Sequence, residues 1–74
     1  MNIIVEDRQS AYKQVNELLH DFADVIKLRI GYPVPDENMA IILLIVKTSN
    51  DVIGSLSGKL GQVKSVKVKT MPLK

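Results

Sequence analysis

Three groups of residues in this chain have the types and spacing for chemistry. Arg8 directly follows the run Ile3-Ile4-Val5-Glu6-Asp7, and an arginine in the first loop can hold a phosphate, the device of an acylphosphatase-like enzyme. No glycine accompanies it to let backbone N–H groups approach an anion, so a solvated loop arginine is the better reading. His20 comes one residue after Leu18-Leu19 and close to Asp21 and Asp24. It could ligate a metal with those carboxylates or with copies of itself from other subunits. The plainer reading is a helix-end histidine favoured by the helix dipole. Gly58-Lys59-Leu60-Gly61 invites comparison with phosphate loops, but such a loop has the spacing GxxxxGK[ST] and opens a helix, whereas this segment closes one. There Lys59 offsets the partial negative charge of a helix C-terminus, which would itself repel an anion.

The patterning supplies six elements to position these groups. Asn2 to Glu6 reads as a short strand with apolar residues on both faces. Ala11, Val15, Leu18, Leu19 and Phe22 recur at the spacing of a helix packed on one side, and Lys13, Gln14, Asn16, Glu17 and Asp21 form its wet side. Ile26, Leu28 and Ile30 alternate with Lys27 and Arg29, the period of a strand buried on one face only. Gly31 to Asn38, with Pro33 and Pro35, reads as a turn-rich connection. Ile41 to Val46 is apolar throughout, as in a strand shielded on both faces. Ser49, Asn50 and Asp51 offer N-cap oxygens to a second helix carrying Val52, Ile53, Leu56 and Leu60 on one face. Gly61, or Gly58 a turn earlier, is the expected left-handed residue at its end. Val66, Val68 and Thr70 then alternate with Lys67 and Lys69 in a second edge-like strand, where lysines discourage aggregation, and Met71 to Lys74 form a frayed tail.

This order is β-α-β-β-α-β, an α+β ferredoxin-like sandwich over residues 1–74, with antiparallel sheet order 4-1-3-2 and both helices on one face. The apolar first and third strands suit its centre, and the two alternating strands suit its edges. The open face is expected to show an apolar centre, Ile4, Ile41, Leu43 and Ile45, flanked by Lys27, Arg29, Lys67 and Lys69. Such a stripe is a liability in a monomer, so those four apolar residues are the expected interface with another subunit.

Composition narrows the function. At 74 residues and 8.2 kDa there is room for one core, and a domain this small gains from a partner subunit. With no cysteine and one histidine there is no disulfide framework, thiolate metal cluster, cysteine nucleophile or Ser-His-Asp triad, and a reducing, cytoplasmic setting is favoured. The longest apolar run, Met39 to Val46, is far shorter than the roughly 20 residues that span a bilayer. Glu6 and Asp7 argue against a secretory leader. The net charge of +2 averages two unlike parts: residues 1–51 hold five bases and eight acids, a balance of −3, and residues 52–74 hold five lysines and no acid, +5. The basic end could meet an acidic protein or nucleic acid through Lys64, Lys67, Lys69 and Lys74. Base stacking is disfavoured, because Tyr12, Phe22 and Tyr32 fall outside the two central strands. No segment is left over for a DNA-binding helical motif.

Ile3-Ile4-Val5-Glu6-Asp7-Arg8, Val15-Asn16-Glu17-Leu18-Leu19-His20, Arg29-Ile30-Gly31-Tyr32-Pro33, Asn50-Asp51-Val52-Ile53, Leu56-Ser57-Gly58-Lys59-Leu60-Gly61 and Val68-Lys69-Thr70 together resemble the iron-only hydrogenase system regulator family. The resemblance covers nearly the whole chain. That family is similar to ACT domains and to the regulatory half of nickel-responsive repressors, which implies a ferredoxin-like, oligomeric, ligand-sensing module. The nickel site of those repressors needs several histidines and does not transfer to a chain with His20 alone. The expectation is a non-enzymatic regulator, a homodimer or higher oligomer with no resident cofactor or metal, sensing a small anionic ligand such as an amino acid at a subunit boundary. Arg29, Gly58, Lys59 and Gly61 are the residues expected to hold the anionic group. The alternative is an interaction module that senses nothing and binds through its basic C-terminal edge.

Overall fold

The computed structural model describes residues 1–34 and 36–72. Six elements follow in the expected order: β1 (Asn2–Val5), α1 (Arg8–Asp21), β2 (Ile26–Val34), β3 (Met39–Val46), α2 (Asn50–Gly61) and β4 (Val66–Lys69), with one 3-10 turn, Ala23–Val25, between α1 and β2. The four strands form one antiparallel sheet in the order β2-β3-β1-β4. This is the ferredoxin-like arrangement.

Strand period sets which side chains reach the helices. Ile3 and Val5 of β1 stand between Ile42 and Ala40 of β3 on one side and Val68 and Val66 of β4 on the other. Ile3, Val5, Ala40, Ile42, Leu44 and Val66 are buried there with Ala11, Val15 and Leu19 of α1 and Leu56 and Leu60 of α2. The whole core therefore lies between the sheet and the helix layer. No polar side chain is buried in it among the described residues.

Local chemistry fixes the helix ends. Asp7 caps α1, its carboxylate accepting from the Ser10 amide at 3.4 Å and from Asn38 Nδ2 at 2.8 Å. The Asn38 carbonyl accepts from the Arg8 amide at 2.8 Å. Asn38 has φ 53, a left-handed backbone that asparagine tolerates. Through it the end of the β2–β3 hairpin is tied to the start of α1. Ser49 caps α2 by accepting from the Val52 amide at 3.3 Å.

Three details depart from the expectations. β2 runs to Val34, so Gly31, Tyr32 and Pro33 belong to a strand rather than a turn. Pro33 is tolerated because β2 is an edge and needs no second ladder partner. α2 continues through Gly58 and Gly61, and no described glycine has a positive φ. The left-handed residue of this connection is Ser65 (φ 67), whose carbonyl accepts from the Glu6 amide at 2.7 Å. The third departure is the phase of β2. The pairing steps irregularly between Ile26 and Leu28, and beyond that step Leu28, Ile30 and Tyr32 turn to the open face while Arg29 turns towards α1. Pro35, Leu73 and Lys74 lie outside the described residues.

Candidate functional site

Two features stand out: the uncovered sheet face and the groove between α1 and β2. Ile4, Ile41, Leu43 and Ile45 all emerge on the face that carries no helix, each more than a third exposed. Leu28, Ile30 and Tyr32 extend this patch across β2, opposite Ile45, Leu43 and Ile41. Three adjacent strands thus present one apolar surface to solvent.

The basic residues expected to flank that patch are not symmetrically placed. Lys67 and Lys69 border it on β4, opposite Ile4 and Asn2. Lys67 reaches Glu6 at 3.2 Å with both side chains largely in solvent, a contact of little energetic weight. Arg29 lies on the other side of the sheet, and Lys27 falls at the irregular step of β2. The open face therefore has one basic edge, and its other edge is apolar. The β2 alternation alone could not settle this, because its apolar residues face the side that helices leave bare.

The groove is built by α1 and β2. Arg8, Tyr12, Asn16 and His20 follow at intervals of four, a stripe down one side of α1. Arg29 Nη2 donates to Asn16 Oδ1 at 2.6 Å, and the Arg8 guanidinium lies 5.2 Å from the centroid of the Tyr12 ring. Three cavities run end to end along this line. One of about 640 Å³ is lined by Arg8, Tyr12 and Asn38. A smaller one of about 180 Å³ has both Arg8 and Arg29 in its wall, with Tyr12 and Gly31. The third, about 450 Å³, is lined by Asn16, His20 and Arg29 over Leu19 and Ile26. Among the described residues lining these cavities none is Asp or Glu. The Tyr12 phenol is held below its ordinary range, first by the polar Asn16 side chain one turn along the helix and then by the charges of Arg8 and Arg29.

The residues expected to hold a ligand together are separated. Arg29 lines the groove, while Lys59 lines a different cavity with Glu17, Asp21 and Lys64 and sits 5.4 Å from the centroid of the Phe22 ring. Gly58 and Gly61 are ordinary exposed residues in the last turns of α2. Arg8 and Tyr12 join Arg29 instead, and the four-residue spacing from Arg8 to His20 is the sequence signal that marks them. Among the described residues no three His, Cys, Asp or Glu side chains converge as a metal site. No described helix is long and apolar enough to cross a membrane.

A family profile, "TM1266-like: Iron-only hydrogenase system regulator, putative", matches residues 1–70. The chain belongs to the TM1266-like family. Its fold also matches the solved structure of the uncharacterized protein TM1266 from Thermotoga maritima, with a TM-score of 0.94 and 67% identity over 99% of this chain and 91% of that one. No curated protein matches. Membership in the TM1266-like family agrees with the motifs quoted from five of the six elements, all but β3.

Proposed function

We propose that this domain is a small cytoplasmic, non-enzymatic regulator that self-associates through its open sheet face and responds to a small anionic ligand near the subunit boundary. The family is described as a regulator of the iron-only hydrogenase system, and a regulator of this size needs a means of coupling ligand to partner. The observation that carries the reading is the uncovered patch of Ile4, Leu28, Ile30, Tyr32, Ile41, Leu43 and Ile45. A second copy is the occupant it fits best, for two reasons. The chain exposes 5287 Å², whereas a compact monomer of its mass exposes about 4,500 Å². A two-fold axis parallel to the strands also sets the apolar β2 edge of one copy over the lysine-bearing β4 edge of the other, which avoids stacking lysines on lysines. Sedimentation velocity at micromolar concentration tests this, with a dimer or larger species expected. A stable monomer overturns it.

A further inference from the structure

We infer that the groove between α1 and β2 is a binding site for a phosphate monoester, with Arg8 and Arg29 as paired cationic clamps and Tyr12 and Asn16 between them. This deepens the ligand half of the proposed function and rests on that reading. The groove is formed by one chain, however, so ligand binding and self-association are separately measurable.

The charge balance selects the ligand class. Arg8 and Arg29 both line one cavity, and among the described residues no carboxylate lines that cavity or its two neighbours. Asp7, next to Arg8 in sequence, is committed to Ser10 and Asn38. A single guanidinium satisfies a carboxylate through two parallel N–H···O bonds. Two of them match a phosphate monoester, which carries about −1.5 to −2 charges near neutral pH and three acceptor oxygens. An amino acid would bring an ammonium group for which the groove offers no carboxylate.

Geometry adds the rest. Asn16 holds Arg29 at 2.6 Å, so that arginine is oriented before a ligand arrives, which reduces the ordering cost of binding. Tyr12 lines the same cavity as Arg8 and Arg29, and its hydroxyl is a further donor for a phosphate oxygen. An added side chain at Gly31 would meet nothing within 4 Å, so there is room beside Arg29 for the group esterified to the phosphate. Leu19 and Ile26 give the adjoining cavity an apolar wall, and pockets of this size with a few convergent polar groups are the usual form of small-molecule sites.

The test is a calorimetric titration of the full chain, with backbone-amide NMR on the same samples, using inorganic phosphate, glycerol phosphate and a nucleoside monophosphate as probes. Acetate and glycine serve as controls. Saturable binding of at least one phosphate probe is expected, with amide shifts at Arg8, Tyr12, Asn16 and Gly31, and the rank of the three probes tells whether the ester group contributes. Arg8→Gln and Arg29→Gln should each weaken binding about tenfold, the scale of one charge-assisted hydrogen-bonding group. Lys13→Gln, the same charge change elsewhere on α1, should leave binding unchanged. Three results would overturn the site: no saturable binding of any phosphate probe, wild-type affinity in a folded double variant lacking both arginines, or loss of binding on Lys59→Gln. Sedimentation of the same samples separates the two claims. Assembly without phosphate binding rejects the groove alone, and phosphate binding by a monomer rejects only the self-association.

Discussion

Tyr32 on the edge strand β2 stands opposite Ile41 on β3, and both side chains leave the sheet on the side that no helix covers, 63% and 42% exposed. A large aromatic paired with a branched aliphatic residue contributes well in a covered sheet face and poorly in an uncovered one. Truncating it should therefore affect association more than folding. Tyr32→Ser should raise the dissociation constant of the self-assembled form at least tenfold while the folded monomer changes within about 0.5 kcal/mol, the scale of a surface substitution. Analytical ultracentrifugation across a dilution series, beside urea unfolding at low protein concentration, reads both quantities.

The core on the helix side should behave in the opposite way. Leu56 and Leu60 are fully buried between α2 and the sheet. Leu56→Ala removes contacts that the neighbours cannot fully replace, at about 2 to 5 kcal/mol. Few domains of this size have that much stability to lose. Loss of the cooperative unfolding transition in far-UV circular dichroism is the expected result.

Gly54, Gly58 and Gly61 sit inside α2 with ordinary helical backbone, and an added Cβ at each meets open space. Alanine at Gly58 should stabilise the domain by roughly 0.4 to 1 kcal/mol, by restricting the unfolded chain. Thermal unfolding measures the gain. Phosphate affinity should be unaffected, because Gly58 lines none of the three groove cavities.

Acid should loosen the start of α1. Hydrogen bonds from Ser10, and then from Asn38, hold the Asp7 carboxyl below its ordinary value of 3.8. Because the folded-state value is the lower one, the stabilisation is present above the unfolded value and is lost as pH falls through the folded one. Asp7→Ala should lower Tm by a few degrees at pH 7, and the difference from wild type should shrink as pH drops below that carboxylate range. Melting curves from pH 7 down to pH 2.5 follow the change.

Much of this architecture is legible in the amino-acid sequence, because strand and helix periods are strong in β1, α1, β3, α2 and β4. The uniformly apolar Ile41 to Val46 identifies a central strand. In the structure that strand divides into a buried set, Ala40, Ile42 and Leu44, and an outward set, Ile41, Leu43 and Ile45. β2 is where the pattern misleads. Alternation fixes which residues share a face but not which face the helices cover, and Leu28, Ile30 and Tyr32 take the uncovered one. Two residues of strand-breaking type, Gly31 and Pro33, also hide the second half of that strand, since an edge position removes the usual objection to proline. The groove was only half legible. Arg29 is conspicuous between apolar neighbours, whereas its association with Arg8 and Tyr12 depends on α1 crossing beside β2, a tertiary relationship that no local pattern encodes.

The measurement that bears most directly on the account is sedimentation velocity of the wild-type chain beside the double variant Ile41→Lys, Leu43→Lys. Both positions are exposed in the single chain, so lysines there should leave the fold intact by circular dichroism while placing charges in the centre of the proposed interface. The account predicts a dimer or larger species for the wild type and a folded monomer for the variant. A wild-type monomer at micromolar concentration, or an assembly that survives both lysines, would contradict it.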